Sequence, residues 1–424
     1  MLWTIRAVVV FTVLMPGVVE PQDKDKASEP GAPEERDRFV YVNDDLLCLP
    51  DYDCPDNFVS AFAVAPDGTL NPIKGSPFDT GGTGGGGWFY ASNRISVSTV
   101  GEFLFAGNSS SQNVSAFKID PKTGVLTPVS GSPFATDAPS TFLGMAVSPT
   151  PDGKFLMVAD AFAVTVFRIS RDGALSRIEN SPFPTLETPN AVKVTPDGKF
   201  VAVSEPALQQ IEMFRIGHDG SLASLGGFPA GGGGDSDGID IDCSSRFLYS
   251  GEGTYGDTTV DVYRIEHNGS LTPIAGSPFT PGVGVNSSVV LLSADNKQLF
   301  VSNQTSNTIT VFDVDRDGGL SLHPGSPFAM NGSAWEPAGM ATSKRGNLLY
   351  VADLFPSGSG DSAISVFRVG ETGTLTEVEG SPFARYDGPG GQSLTAYPSK
   401  HCLLPLDTRR DGREEDRQSD QEQE

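Results

Sequence analysis

The sequence contains few of the residues that most often carry catalysis or bind metals. Its 424 residues include only four histidines and four cysteines. No Cys-x-x-Cys pair is present, so a zinc cluster has no support. Three of the histidines, His218, His267 and His323, fall beside predicted turns or in a predicted outer strand. We therefore expect no metal and no cofactor.

Basic residues are also scarce, which limits the partners that the surface can attract. There are 29 lysines and arginines against 53 aspartates and glutamates, and the formal net charge is −24. Such a surface repels phosphate backbones and anionic lipid headgroups. We expect neither nucleic acid nor a membrane as a partner. The expected partner is a small molecule, sugar-like or a lactone, or a protein.

A long apolar run is missing everywhere except at the N-terminus. Residues 1–19 carry one Arg6, an apolar stretch from Ala7 to Met15, and then Pro16. This is the layout of a secretory signal peptide, and the stretch is too short to span a bilayer comfortably. We therefore expect a secreted or extracytoplasmic protein.

Aliphatic residues are almost absent from two further segments. Residues 20–38 and 407–424 are charged and polar, so they predict a linker and a disordered tail. The folded domain should then cover residues 39–406, and we expect it to be a monomer.

The four cysteines suit an exported protein but are too few to form its scaffold. Cys48 and Cys54 lie in one loop, CLPDYDC, where a short local disulfide is predicted. Cys243 and Cys402 lie far apart along the chain. We interpret these two as buried free thiols, with their redox state left open.

What the sequence does contain is turn-forming residues and a repeated phrase. Its 49 glycines and 32 prolines favour many turns and few helices. A nine-residue phrase recurs at intervals of about fifty residues, a spacing typical of propeller blades. It reads LTPIAGSPF at 271–279, with other copies at 70–78, 126–134, 175–183, 320–328 and 375–383, and a worn copy, LASLGGFP, at 222–229.

Each repeat predicts four strands. The phrase follows a turn dipeptide such as Asp172-Gly173, which favours a tight hairpin. Upstream lie alternating stretches such as VTVFRI (164–169), KFLMVAD (154–160) and GMAVS (144–148), which predict strands. Small sheets of this kind bury both faces when they are arranged radially. The predicted fold is all-β, a seven-bladed β-propeller of four-stranded antiparallel blades.

The two ends of the domain predict how the ring closes. The first repeat begins at FVYVN (39–43), which matches the second strand of the other repeats, so its innermost strand is missing. SLTAYPSK (393–400) resembles an innermost strand. We predict that this C-terminal segment completes the N-terminal blade. The prolines of the phrase suit an outermost strand, and its Phe should pack between blades.

Polar residues stand at the end of every second strand. Corresponding positions of a propeller converge around its axis, so these side chains would line or flank one mouth. One interpretation is that they cap turns, and the other is a polar funnel that binds hydroxyl-rich or cationic ligands. The seven residues are Asn43, Asn108, Asp160, Glu205, Glu252, Asn303 and Asp353.

One acidic stretch raises the question of a calcium site. Asp235, Asp237, Asp240 and Asp242 follow one another closely, and hard cations prefer several carboxylate oxygens. Alternation instead favours a strand that leads into an Asp-capped turn. We therefore predict no metal at this stretch.

The repeats resemble those of one known family. LFVSNQTSNTITVF (299–312) and LLYVAD (348–353), together with the phrase, are similar to the lactonase-type seven-bladed propellers. That family includes 6-phosphogluconolactonase and the carboxy-muconate cyclising enzymes, and its repeats overlap the YVTN propellers. The resemblance covers about residues 39–404 and is carried by motifs of the framework.

The resemblance also implies catalytic positions, and this sequence departs from them. The family has Pro-His ahead of one inner strand, where this chain has Phe142 and Leu143. It has Pro-Arg-His ahead of the next, where Asn190 and Ala191 replace Arg and His. The second strand that follows ends in Asn-Glu in the family. The residues that remain are Glu205, preceded by Ser204, and Asp160 in the first of these blades.

Three hypotheses follow. The leading one is an exported propeller that binds a ligand or partner at its axial face. The alternative is a lactone hydrolase in which Glu205 is the general base and Asp160 supports it. It would gain weight if Arg94, the one arginine near an inner strand, reached the axis. The third is an extracellular scaffold, because propellers host many functions on one framework.

Overall fold

The computed structural model describes residues 39–44, 56–85, 93–100, 102–137, 145–230, 236–253, 259–282, 287–331, 337–353, 363–384 and 393–399. These residues form seven antiparallel sheets, which we call blades 1 to 7 in the chain order of their second strands. The one helix among them is a 3₁₀ turn, Pro206–Leu208. None of the helices in this described part is long and apolar enough to cross a membrane. The predicted all-β propeller is confirmed.

The second strands form the buried centre of each blade. FLMVAD of blade 3 is buried at every position, because the strand is flanked on both sides within its sheet and on both faces by other blades. β-branched and aromatic residues suit such a surface. From blade 1 to blade 7 the second strands are Phe39–Asn43, Phe103–Asn108, Phe155–Asp160, Phe200–Glu205, Phe247–Glu252, Gln298–Asn303 and Leu348–Asp353.

Inner strands lie on the axial side of the second strands, and each contacts the inner strands of the neighbouring blades. In the same blade order they are Ser393–Tyr397, Ile95–Val97, Ala146–Pro149, Ala191–Val194, Ser236–Ile241, Ser287–Leu292 and Pro337–Thr342. Third strands pair with the other edge of the second strands. They are Asp56–Val64, Asn113–Ile119, Ala163–Ile169, Gln210–Ile216, Thr259–Ile265, Thr308–Val314 and Ala363–Val369.

The repeated phrase forms the outer edge of each blade, as predicted. Outer strands are Leu70–Pro72, Leu126–Pro128, Leu175–Arg177, Leu222–Pro229, Leu271–Pro273, Leu320–Leu322 and Leu375–Glu377. After a turn, the chain pairs again with the third strand, as a short strand in five blades and as a single bridge between Phe279 and Val260 in blade 5. These short exit strands are Phe78–Thr83, Phe134–Ala135, Phe183–Pro184, Phe328–Ala329 and Phe383–Ala384.

The Ser-Pro pair of the phrase explains its repetition. In six copies the Ser hydroxyl accepts a hydrogen bond from a third-strand N–H, as Ser181 does from Val166 at 2.8 Å. The hydroxyl therefore replaces a ladder partner where the outer strand turns away. The Ser-Pro peptide bond is cis in these copies. The serines are Ser76, Ser132, Ser181, Ser277, Ser326 and Ser381.

Blade 4 carries the worn copy of the phrase and differs accordingly. It lacks Ser-Pro, and its outer strand runs without interruption from Leu222 to Pro229. A bulge opposite Met213 and Phe214 adjusts the register. The phenylalanine near the end of the phrase is present in every copy, including the worn one. In each blade it packs against the hydrophobic cluster between that blade and the next. The predicted packing role of this Phe is confirmed.

The ring closes as predicted. Strand 393–397 pairs antiparallel with strand 39–43, with Phe39 opposite Tyr397 and Asn43 opposite Ser393. Blade 1 is therefore built from both ends of the domain. Its Gly68 turn meets Leu348 of blade 7, so the last contact between blades has the same construction as the others.

Turn glycines lock neighbouring blades together. Gly173, in the hairpin after the third strand of blade 3, has φ +87°, and a Cβ there would lie 2.4 Å from the ring of Phe103 in blade 2. Gly220 meets Phe155 in the same way one blade further on. Glycine is needed at these positions both for the positive φ and for the close approach.

Candidate functional site

The seven polar residues at the ends of the second strands lie inside the protein. Their side chains are all 0% exposed. Several bond to the third strand of their own blade: Asn108 Nδ2 donates to Ser115 Oγ at 2.8 Å, and Ser365 Oγ donates to Asp353 Oδ2 at 2.8 Å. Asn303 Nδ2 likewise donates to Thr310 Oγ1 at 2.8 Å. In this structure these seven side chains therefore stabilise their blades. Ligand binding by Asn43, Glu252 or the other five residues stays a prediction.

Glu205 is enclosed by hydrogen-bond donors. Its Oε1 accepts a hydrogen bond from the backbone N–H of Glu187 at 2.9 Å, and its Oε2 accepts one from Nε2 of Gln210 at 2.6 Å. Burial raises the pKa of Glu205 to about 7, and the charge of Glu212 adds to this rise against the lowering effect of the two donors. Glu212 is itself buried, and its carboxylate accepts hydrogen bonds from Leu186 N and Ser224 Oγ.

Asp160 occupies the equivalent position of blade 3. Its Oδ2 accepts a hydrogen bond from Thr136 Oγ1 at 3.1 Å, and its Oδ1 has no hydrogen-bond partner in the described part of the chain. Burial raises the pKa of Asp160 to about 7. Burial therefore raises the pKa of both sequence-predicted catalytic carboxyls, and in the described part of the chain neither of them lines the cavity that follows the propeller axis.

Arg94 belongs to a different part of the ring. Its backbone N–H donates to Ser393 Oγ, and its carbonyl accepts Gly107 N and Asn43 Nδ2. These contacts join blades 1 and 2, whereas Glu205 lies in blade 4. The side chain is 1% exposed, and this burial lowers the pKa of Arg94 to about 9. Arg94 does not line the axial cavity, although its neighbours Asn93 and Ile95 do.

The positions implied by the family resemblance meet in blade 4. Asn190 N donates to the carbonyl of Ser204 at 3.0 Å, and Ala191 N donates to Ser204 Oγ at 2.8 Å. The loop ahead of the inner strand is thereby held against the end of the second strand, next to Glu205. Phe142 and Leu143 lie outside the described residues.

A cavity of about 470 Å³ follows the axis and is lined by all seven inner strands. It extends to Thr99, Pro151 and Pro196, which lie between an inner strand and the second strand of the same blade, and to Ser399, which follows the inner strand of blade 1. None of the seven polar second-strand residues lines it. The cavity therefore lies apart from Glu205 and Asp160.

One equivalent position of the seven inner strands contributes to this cavity in every blade. We call these seven residues the axial ring. Charge occurs in two neighbouring blades, at Lys193 and Asp240, and the other members are small or apolar. The axial ring consists of Thr395, Ser96, Ser148, Lys193, Asp240, Leu291 and Ala341.

Lys193 and Asp240 form an ion pair across blades 4 and 5. Lys193 Nζ lies 2.9 Å from Asp240 Oδ1, and the two side chains are 37% and 2% exposed. Asp240 also accepts the N–H of Ile241 on Oδ1 and of Leu292 on Oδ2. Sequence reasoning missed this pair. The available signal was a charged residue at the same position of two consecutive inner strands, AVKV and GIDID.

The acidic stretch around Asp240 holds a turn, as predicted. Asp242 Oδ1 accepts the N–H groups of Arg246 and Phe247 at 2.6 and 2.7 Å. Asp235 lies outside the described residues. In the described part of the chain, no group of three or more His, Cys, Asp or Glu side chains is close enough together to hold a metal.

The cysteine prediction needs one correction. Cys243, which lines the cavity, is disulfide-bonded and is not a free thiol. It lies in the hairpin that follows the inner strand of blade 5. Cys48, Cys54 and Cys402 all lie outside the described residues, and so does the predicted bond between the first two.

Comparison with known proteins identifies the family. Residues 133–235 and 256–386 match the family model described as Lactonase, 7-bladed beta-propeller. These segments make up more than half of the chain, and the protein belongs to this lactonase family of seven-bladed propellers. A search of curated proteins finds no match.

Solved structures of similar fold include bacterial lactonases. A candidate 6-phosphogluconolactonase from Bacteroides fragilis has a TM-score of 0.63 at 20% identity, covering 89% of this chain and 99% of its own. One from Bacteroides uniformis has a TM-score of 0.65 at 18% identity, covering 85% and 100%. The periplasmic gluconolactonase PpgL of Pseudomonas aeruginosa has a TM-score of 0.62 at 19% identity, covering 82% and 98%. At these identities the likeness concerns the fold.

Proposed function

We propose that this protein is an exported lactonase-family propeller that binds a small molecule in its axial cavity. The observation that carries the proposal is the cavity itself. A volume of about 470 Å³ lies within the range of small-molecule sites, which are concave and mostly apolar with a few fixed polar groups. The Lys193–Asp240 pair supplies such polar groups on one wall.

The geometry around Glu205 favours binding over catalysis. A general base must reach the proton that it removes, directly or through one water. Both oxygens of Glu205 already accept hydrogen bonds, and its side chain is fully buried. The Arg and His of the family pattern are replaced by Asn190 and Ala191, so the nearby positive charge that would stabilise an oxyanion is missing from these positions.

A second candidate is a lactone hydrolase that uses Glu205 as its general base with Asp160 in support. One observation favours it: the pKa values of both carboxyls are raised to about 7. A base works best when its pKa lies near the operating pH. Displacement of Gln210 by a substrate would be required to free Oε2 of Glu205.

Export is part of the proposal and has two supports. Residues 1–19 have the layout of a signal peptide. Cys243 is disulfide-bonded, and disulfides persist mainly in oxidising compartments. A scaffold role in an extracellular assembly remains the third hypothesis, and it requires no occupant of the cavity.

The test measures binding and hydrolysis side by side. Calorimetry and hydrolysis assays on sugar and aliphatic lactones are performed with the wild type, Glu205→Gln, and the exposed control Glu379→Gln. Binding without turnover in all three proteins is the expected result. Turnover that only Glu205→Gln abolishes would replace the proposal with the hydrolase, and no binding of any lactone would overturn it.

A further inference from the structure

We infer that the axial cavity selects an uncharged, largely apolar molecule with a carbonyl acceptor, such as an alkyl-substituted lactone. It should reject phosphorylated or hydroxyl-rich sugars. This inference rests on the proposed binding function and names the ligand class for it. Three properties of the cavity wall carry it: its charge, its free hydrogen-bonding capacity, and its apolar area.

The charge of the wall argues against an anionic ligand. Among the lining residues, all of which belong to the described chain, Lys193 and Asp240 are the two that carry charge. They face each other at 2.9 Å, so the positive charge is already neutralised. A phosphate or carboxylate would therefore bring an uncompensated charge into a partly desolvated site within a protein of net charge −24.

The hydrogen-bonding capacity of the pair is asymmetric. Asp240 is 2% exposed, and its oxygens already accept Lys193 Nζ and two backbone N–H groups. Lys193 is 37% exposed, and an ammonium carries three N–H donors, of which Asp240 takes one. The pair therefore offers donors to the cavity, and the matching ligand group is an acceptor such as a carbonyl.

The rest of the wall is mainly aliphatic. Leu291 and Ala341 of the axial ring are half-buried apolar members of the wall. Behind them, six residues from six different blades also line the cavity but pack mainly in the clusters between blades: Ile95, Val194, Ile239, Val290, Met340 and Leu394. At least one polar side chain of the wall already makes a hydrogen bond within the protein, because Ser148 Oγ accepts a hydrogen bond from Val194 N at 3.1 Å. Polar side chains of the wall such as Ser96 and Thr395 could serve only some of the hydroxyls of a hydroxyl-rich sugar, and each hydroxyl left against the apolar groups would be desolvated without a partner. An alkyl chain would bury apolar area there instead.

The experiment separates ligand class from binding as such. Calorimetry compares three probes with one skeleton, an alkyl δ-lactone, the corresponding cyclic ketone and the cyclic thioether, whose sulfur is only a weak acceptor, together with glucono-δ-lactone and 6-phosphogluconate. The ketone keeps the acceptor and cannot be hydrolysed. We expect the lactone and ketone to bind the wild type at least about tenfold more tightly than the thioether, and the sugar compounds to bind more weakly than the thioether.

Variants assign the acceptor to Lys193. In Lys193→Met the ketone should bind no more tightly than the thioether, whereas Lys199→Met, which removes an exposed lysine of the same blade, should keep the difference. If Lys193→Met fails to fold, the ratio of ketone affinity to thioether affinity for the wild type still decides the question. Tighter binding of a sugar compound would overturn this inference while the proposed function stands. Binding of none of the probes would overturn both.

Discussion

Lys193 and Asp240 occupy the same position of neighbouring inner strands and meet at 2.9 Å on the wall of the axial cavity. Asp240 extends the contact to a third blade, because its Oδ2 accepts the backbone N–H of Leu292. Ser148 does the same for Val194 between blades 3 and 4. Polar side chains of the axial ring thus replace hydrogen bonds between strands that diverge around the axis.

The ion pair should contribute to stability because Asp240 is almost completely buried. Lys193→Met removes the cation and leaves the carboxylate in a desolvated site, so we expect a loss of about 2–4 kcal/mol in the free energy of unfolding. The control is Lys199→Met, whose partner Asp197 is more exposed, and it should cost less than about 1 kcal/mol. Urea denaturation measures both, and equal losses would contradict this role of the pair.

The glycine lock between blades predicts an unusually costly alanine. Gly173→Ala combines a positive φ with a Cβ placed 2.4 Å from the Phe103 ring. Strain and overpacking together should destabilise the protein by about 2–4 kcal/mol. Gly226 has φ +97° with nothing within 4 Å, so Gly226→Ala isolates the strain and should cost about 1 kcal/mol. Thermal unfolding would contradict the lock if the two variants shifted Tm equally.

The buried carboxyl of Asp160 predicts a pH dependence. Its pKa rises from 3.8 to about 7 on folding, so the fold favours the protonated form. The resulting stability is present in full below the unfolded pKa and is lost as the pH rises through about 7. Relative to Asp160→Asn, the wild type should lose on the order of 4 kcal/mol across that window.

Denaturation curves of the wild type and Asp160→Asn at a series of pH values test this directly. Other groups titrate equally in both proteins, so the difference between their unfolding free energies isolates Asp160. A difference that stays constant from acid to neutral pH would show that folding does not raise the pKa of Asp160.

The cysteine that pairs with Cys243 can be predicted from the other three cysteines of the chain. If Cys48 and Cys54 form the local bond expected from their shared loop, Cys402 must be the partner of Cys243. The position of Ser399 agrees, because it lines the same cavity as Cys243 and precedes Cys402 by three residues. Peptide mapping without reduction should find one peptide pair containing Cys243 and Cys402. A Cys243 peptide linked to Cys48 or Cys54 would contradict both assignments.

The fold could be predicted from the sequence because the same local signals recur in seven repeats. Each copy carries a turn glycine, alternating strands and the Ser-Pro-Phe phrase, and these are local signals. Even ring closure followed from the innermost strand that is missing ahead of residues 39–43 and from one surplus strand at 393–397. Blade 4 could be recognised despite its worn phrase because the other strands of the repeat are intact.

The site was harder to predict because it depends on side-chain direction and on contacts between blades. Position along the strand indicated that Glu205 and Asp160 stand near one face, but not that loops enclose them. Lys193 and Asp240 are 47 residues apart by number and meet only because blades 4 and 5 are adjacent. Cys243 was misread for the same reason, since pairing of distant cysteines is a property of the closed ring.

The most direct test of the central claim is to fill the axial cavity and measure binding. Ala341 is a member of the axial ring, and Ala341→Phe places an aromatic ring in the space that a ligand would occupy. Ala223→Phe makes the same chemical change on an exposed outer strand. The account predicts that Ala341→Phe abolishes calorimetric binding of the alkyl ketone probe while Ala223→Phe binds like the wild type. Undiminished binding by a folded Ala341→Phe protein would contradict it.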